Sequence, residues 1–223
     1  MAKRIFVAGA SRGIGLEMVR QAAARGDRVT GTARGEDGAG RIREAGGEAL
    51  ILDVTDPDAL AAAAAQSAEP IDLLVCCAGV LRGRGGIEAD DLGPDAWADV
   101  LMTNVAGPFL TVRAFLPRVE AAKGKIAIVS SVMGSSGRAY GGSYAYCASK
   151  AGATNLARNL AKELDGRVAV GAYHPGWVQT DMGGAGAPLA PEASVSGLRK
   201  LIAGLKAADS GKFFSHDGST IPW

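Results

Sequence analysis

Short, almost continuously apolar runs alternate along the chain with longer, alanine-rich stretches whose apolar residues recur at helical spacing. The runs at residues 4–8, 28–33, 49–52, 71–75, 125–130 and 167–173 read as strands, with a short seventh at 212–215. The intervening stretches predict helices over 14–25, 38–45, 56–66, 94–120, 144–164 and 191–207. Asp56-Pro57 supplies an N-cap followed by a proline at the first helical position, and Gly107-Pro108 is expected to break or kink the longest helix. Strands apolar on both faces and alternating with helices imply an α/β fold. The expectation is a doubly wound, Rossmann-type parallel sheet of seven strands with helices on both faces. Glycine-rich loops at 82–86 and 183–186 follow the fourth and sixth strands, at the carboxyl ends where open α/β sheets place ligands.

Composition removes other classes. Lys+Arg exceed Asp+Glu by 24 to 23, which gives no electrostatic case for nucleic acid or an anionic membrane as partner. No run approaches the ~20 apolar residues of a membrane helix, and the N-terminal apolar run meets Gly9 too soon for a signal peptide. Three cysteines make no disulfide framework, and neither of the two histidines sits at metal-ligand spacing, so a reduced, metal-free, cytoplasmic protein is expected. Glycine provides 32 of the 223 residues without any collagen-like period, which points to tight turns and close backbone approaches.

Between the first strand and helix lies Gly9-Ala10-Ser11-Arg12-Gly13-Ile14-Gly15. Its G-x-x-x-G-x-G spacing differs from the common dinucleotide fingerprint but offers the same physics: a tight turn, close approach to a pyrophosphate, and a helix N-terminus facing its charge. An ordinary strand-to-helix turn has the same look. The second strand ends Thr32-Ala33-Arg34, without the acid that binds an unphosphorylated ribose. Arg34 and Arg12 therefore favour the 2′-phosphate of NADP, unless both are solvated surface arginines.

Tyr146 and Lys150 stand at i and i+4 in a predicted helix and so share one face. A nearby cation lowers a phenol's pKa from ~10 by roughly 1–3 units, towards general acid–base use. A surface helix also carries such a pair by chance.

Taken together, Gly9/Gly13/Gly15, Asp53-Val54, Ala78-Gly79, Asn104, Ser130-Ser131, Tyr146/Lys150 and Pro175-Gly176 occur in the order and approximate spacing of the short-chain dehydrogenases/reductases. The resemblance covers essentially the whole chain. The segments 141–146, 174–182 and 217–223 are similar to sniffer-type and C-factor-like carbonyl reductases. It implies one dinucleotide-binding domain over 1–223, with a cofactor half at 1–93 and a catalytic half at 94–223. Tyr146 would be the catalytic acid in reduction, Lys150 would bind the nicotinamide ribose and tune the phenol, and Ser131 would hold the substrate oxygen. Asn104 would anchor a water linking Lys150 to solvent. Ser11, Arg12 and Ile14 join the glycines in the phosphate loop; Asp53 and Val54 would flank adenine. Ala78 and Gly79 allow close coenzyme approach, and Pro175, Gly176, Val178 and Thr180 belong to the nicotinamide side. The resemblance also implies NADP(H), a small carbonyl or alcohol substrate, and a homodimer or homotetramer.

The chain departs from the family at Cys76-Cys77, where asparagines are usual. The cysteines read as small apolar core residues, with a redox-sensing pair as the other reading. Cys147 reads as packing, His174 as a positioned structural residue and His216 as a turn residue. Met133, Tyr140, Tyr144, Trp177 and Met182 line an apolar pocket or else belong to the core. Residues 183–191 are expected to form a small or mobile lid, and Ile221-Pro222-Trp223 to pack at a subunit contact. Two rival functions remain: a dinucleotide-binding sensor or signalling protein on the same fold, and an NAD-dependent secondary-alcohol dehydrogenase.

Overall fold

The computed structural model describes residues 2–66, 68–88 and 90–223. Its strands are β1 (Arg4–Ala8), β2 (Arg28–Ala33), β3 (Glu48–Ile51), β4 (Leu73–Cys76), β5 (Lys125–Val129), β6 (Ala169–His174) and β7 (Phe213–Ser215). They form one sheet of order β3-β2-β1-β4-β5-β6-β7, with every pairing parallel. The chain fills the sheet outward in one direction as far as β3, then returns to lay β4 against the other side of β1. That reversal opens a crevice above β1 and β4, where ligands of open α/β sheets sit.

The helices are α1 (Gly13–Ala23), α2 (Glu36–Glu44), α3 (Pro57–Ala65), α4 (Pro94–Leu101), α5 (Gly107–Ala121), α6 (Tyr144–Glu163) and α7 (Pro191–Gly204). Strand alternation divides the core between the two faces. Ile5, Val7, Val29 and Val75 meet Met18, Val19 and Ile42 of α1 and α2 and Val195, Leu198 and Ile202 of α7. Phe6, Leu74, Ile126 and Ile128 meet Leu60 of α3, Val112, Phe115 and Val119 of α5 and Ala153, Ala157 and Leu160 of α6.

Predicted element ends shift by one to a few residues, most at the end of α7, where Ala207–Asp209 forms a separate 3-10 turn. The Asp56 carboxylate accepts the Asp58 and Ala59 amides at 2.9 and 3.0 Å, the cap its sequence announces. The long helix is neither straight nor broken. A π turn, Met102–Ala106, joins α4 to α5, with the Gly107 amide reaching back to the Met102 carbonyl. Pro108 has no amide hydrogen and its ring crowds the carbonyl four residues earlier, that of Asn104, so the wider turn accommodates it. The combined run Pro94–Ala121 is long and apolar enough by composition to cross a membrane. In the fold, its Val112, Phe115 and Val119 are buried under the sheet.

Candidate active site

A cavity of about 880 Å³ follows the crevice from α2 to the mouth of α6. At one end the β1–α1 loop runs so close to the end of β4 that a Cβ on Gly9 would lie 2.4 Å from the Ala78 Cα, and one on Gly15 would lie 2.1 Å from the Gly9 carbonyl oxygen. Only glycine fits at either position. No side chain caps α1, so its first amides, from Gly13, Ile14 and Gly15 on the cavity wall, are free to meet an anion. Ser11, Arg12, Arg34, Asp53 and Val54 line the same end. Arg12 reaches across to Asp181 at 3.3 Å, whereas Arg34 pairs with no carboxylate among the described residues. Arg41, which the sequence reading missed, lines the cavity and donates from Nε to the Ser11 carbonyl at 2.8 Å. Glu36 also lines this end, but Arg43 pairs with it at 2.5 Å.

At the other end α6 brings Tyr146 and Lys150 to the cavity, and a 3-10 turn, Val132–Gly134, brings Ser131. Gly134 lets the two elements touch: a Cβ there would be 2.4 Å from the Lys150 carbonyl carbon. The Ser131 hydroxyl shares the cavity wall with the phenol and accepts the Met133 amide at 3.2 Å. Ser130 turns the opposite way, donating to the Lys150 carbonyl at 2.9 Å and meeting the Thr154 hydroxyl at 2.7 Å. Lys150 is 5% exposed, and its ammonium donates to the Val129 carbonyl at 3.0 Å.

The ionisation of the pair differs from the expectation. Burial, partly offset by the Ser131 hydrogen bond, pushes the Tyr146 phenol up to about 12, where a lowered value was expected. Lys150 itself is pressed down to about 8 by burial. Desolvation is the largest cause for both groups because both are buried at the same end of the cavity.

Asn104 lies behind this pair and off the cavity wall. Its side chain clamps Val80 through both backbone groups, at 2.8 and 2.9 Å, and donates to the Ser149 hydroxyl at 2.9 Å. Both amide hydrogens are thereby engaged. Pro108, four residues on, has no amide hydrogen to give the Asn104 main-chain carbonyl.

Ala78, Gly79, Pro175, Gly176, Val178 and Thr180 line the middle of the cavity. Cys76 is buried in the core as expected, but Cys77 lines the cavity, and burial raises its thiol to about 11. All three cysteines are free. His174 also reaches the cavity wall; burial lowers it to about 4 and its Nδ1 is buried without a partner. Met133, Tyr140, Trp177 and Met182 line the mouth, whereas Tyr144 is exposed and is not part of the wall.

The segment expected to form a lid is a strapped loop. Gln179 donates from its backbone to the Leu189 carbonyl at 2.9 Å and from its side chain to the Ala187 carbonyl at 2.9 Å. Trp177 donates from Nε1 to the Gly183 carbonyl at 2.8 Å. In the tail, Ile221 is buried in this chain's own core and its amide donates to the Phe213 carbonyl at 2.8 Å, while Pro222 is exposed and Trp223 half-buried.

An uncapped helix end and three arginines at one extremity and a buried ammonium at the other fit an elongated, phosphate-bearing dinucleotide. Residues 3–187 match the family described as short chain dehydrogenase. The C-signal protein of Myxococcus xanthus is 40% identical over 161 residues, 69% of this chain and 93% of that protein. The 3-oxoacyl-[acyl-carrier-protein] reductase of Escherichia coli (strain K12) is 35% identical over 189 residues, 81% and 75% of the two chains. The crystal structure of NADPH-bound carbonyl reductase from chicken fatty liver superposes with a TM-score of 0.91 at 30% identity, covering 100% of this chain and 99% of that one. Carbonyl reductase Sniffer of D. melanogaster gives 0.90 at 26% identity, with 100% of both chains covered.

Proposed function

The chain belongs to the short-chain dehydrogenase family, and on that premise we propose that it is an NADP(H)-dependent reductase of small carbonyl compounds with Tyr146 as proton donor. The observation that carries this reading is the meeting of Ser131, Tyr146 and Lys150 at one end of a cleft whose other end is a glycine loop flanked by arginines.

The bound coenzyme supplies a hydride to the carbonyl carbon. The hydroxyls of Ser131 and Tyr146 hydrogen-bond the carbonyl oxygen and stabilise the charge that grows there. Tyr146 then gives its proton to that oxygen, completing the alcohol, and a solvent proton restores the phenol. A phenol held neutral by burial is in the correct state to act as an acid. Lys150 holds the ribose and stabilises the transient phenolate, while a water on the Asn104 carbonyl connects it to solvent. Gly9, Ser11, Gly13, Ile14 and Gly15 cradle the pyrophosphate with Arg12 at its edge. Arg34, assisted by Arg41, takes the 2′-phosphate. Asp53 and Val54 flank the adenine. Ala78, Gly79, Pro175, Gly176, Val178 and Thr180 hold the nicotinamide half. The NADPH-bound carbonyl reductase among the similar structures supports this coenzyme. The assembly is taken to be a homodimer or homotetramer.

Coenzyme consumption over a panel of small aldehydes and ketones tests the reading. NADPH is expected to be consumed in preference to NADH, and Arg34→Ala to weaken NADPH binding by roughly tenfold or more without changing NADH binding. Equal losses for both coenzymes would remove the phosphate assignment. The similarity to C-signal favours a second reading, a coenzyme-binding signalling protein that needs no turnover. It predicts firm NADPH binding with no carbonyl consumed.

A further inference from the structure

Four arginines line the cavity among the described residues, and three of them, Arg12, Arg34 and Arg41, belong to its phosphate end. The fourth, Arg84, stands at the tyrosine end. It rides on the glycine-rich loop after β4, which is tied to the entrance of α6 by the Ser143 amide donating to the Gly85 carbonyl at 3.2 Å. The same backbone therefore fixes Arg84 and the first turn of the helix that carries Tyr146. From this loop the guanidinium spans the mouth and donates from Nη2 to the Met182 carbonyl on the opposite lip. It pairs with no carboxylate among the described residues. A neutral carbonyl is a weak partner for a guanidinium, whose fork fits a carboxylate through two hydrogen bonds. Arg84 and Tyr146 line the same cavity, so a group bound to the guanidinium shares the space in front of the phenol. Around it, Tyr140 is 46% exposed and Trp177 is 60% exposed, two aromatic faces turned to the mouth beside Met133 and Met182.

We propose that Arg84 is a specificity-determining residue that anchors the carboxylate of the substrate, so that the preferred substrates are small, flat carbonyl compounds bearing an acid group. This assignment rests on the reductase reading above and gives it a substrate class. The aromatic and methionine side chains take the flat body. The carbonyl oxygen turns to Ser131 and Tyr146, and the acid group exchanges the Met182 carbonyl for itself on Arg84.

The test uses two acids that hold the carboxylate at different distances from the carbonyl, phenylglyoxylate and 4-formylbenzoate, each paired with its methyl ester. Wild-type protein with NADPH is expected to favour at least one acid over its ester in kcat/KM. Arg84→Met should remove that preference by roughly ten- to a hundredfold through KM, as the loss of a charge-assisted hydrogen bond implies. Ester turnover should fall far less than acid turnover, NADPH affinity should hold, and Arg84→Lys should restore part of the preference. Equal losses for acid and ester would reduce Arg84 to a strap between the two lips and overturn the proposal, as would weakened NADPH binding or a wild type indifferent to the acid group. Ester turnover without acid preference sinks this inference alone, whereas no turnover of any carbonyl sinks the reductase reading beneath it.

Discussion

Lys150 and Tyr146 share a pocket, and burial moves their proton affinities in opposite directions. The ammonium is held down to about 8 and the phenol up to about 12, so the protonated lysine and neutral tyrosine coexist at neutral pH. The folded ammonium titrates below its ordinary 10.5, so burying its charge costs stability below about 8, and that cost is lifted as pH climbs towards 10.5. For catalysis, reductive kcat/KM is expected to hold steady at neutral pH and to fall as pH rises through about 8, when Lys150 loses its charge. Lys150→Arg keeps the charge and should abolish that fall, at a lower absolute rate. A wild-type profile flat well above the lysine transition would contradict the role given to Lys150. The Tyr146/Lys150 pair was legible because one helix sets its spacing. The direction of the tyrosine's shift was not, since burial depends on the turn at Ser131 and on strands distant in sequence. Arg41 and Arg84 were missed for a related reason: each reaches the cavity from a helix or loop whose orientation no local pattern reveals.

At the scale of elements, Asp56-Pro57 and the seven strands were readable because capping chemistry and continuous apolar runs are local signals. The π turn needed knowledge of where α5 must lie against the sheet, and Gly107-Pro108 alone announced only a disturbance. The C-terminal tail was expected at a subunit contact; within its own chain Ile221 enters the core, while Pro222 stays exposed. The Pro222 carbonyl accepts the Ser135 hydroxyl at 2.6 Å and the Trp223 carbonyl accepts the Gly137 amide at 3.1 Å. The tail thus pins the segment that follows Ser131. Ile221→Ala is expected to cost about 2–5 kcal/mol, and to lower the melting temperature by roughly 5–15 °C without changing the mass in solution. A changed mass with an unchanged melting temperature would restore the subunit-contact reading.

Across the whole molecule, the order of the strands turns these local features into one site. Laying β4 beside β1 brings the β1–α1 loop against Ala78, and placing β5 and β6 next in line sets Ser131 and Pro175 along the same crevice. A single cavity then spans from the arginines at α2 to the phenol on α6, with Arg84 across its mouth. The doubly wound order was legible from strand–helix alternation together with the family resemblance, whereas the strapped loop at 183–190 was not, because its hydrogen bonds join glycine- and alanine-rich segments that carry no pattern. In the proposed reaction Tyr146 gives up the proton in the chemical step. Single-turnover loss of the reduced nicotinamide absorbance, measured for wild type and Tyr146→Phe at matched coenzyme saturation, is the decisive comparison. The variant is expected to bind NADPH as the wild type does and to react roughly 100- to 10,000-fold more slowly. A variant that reacts at the wild-type rate would contradict the account.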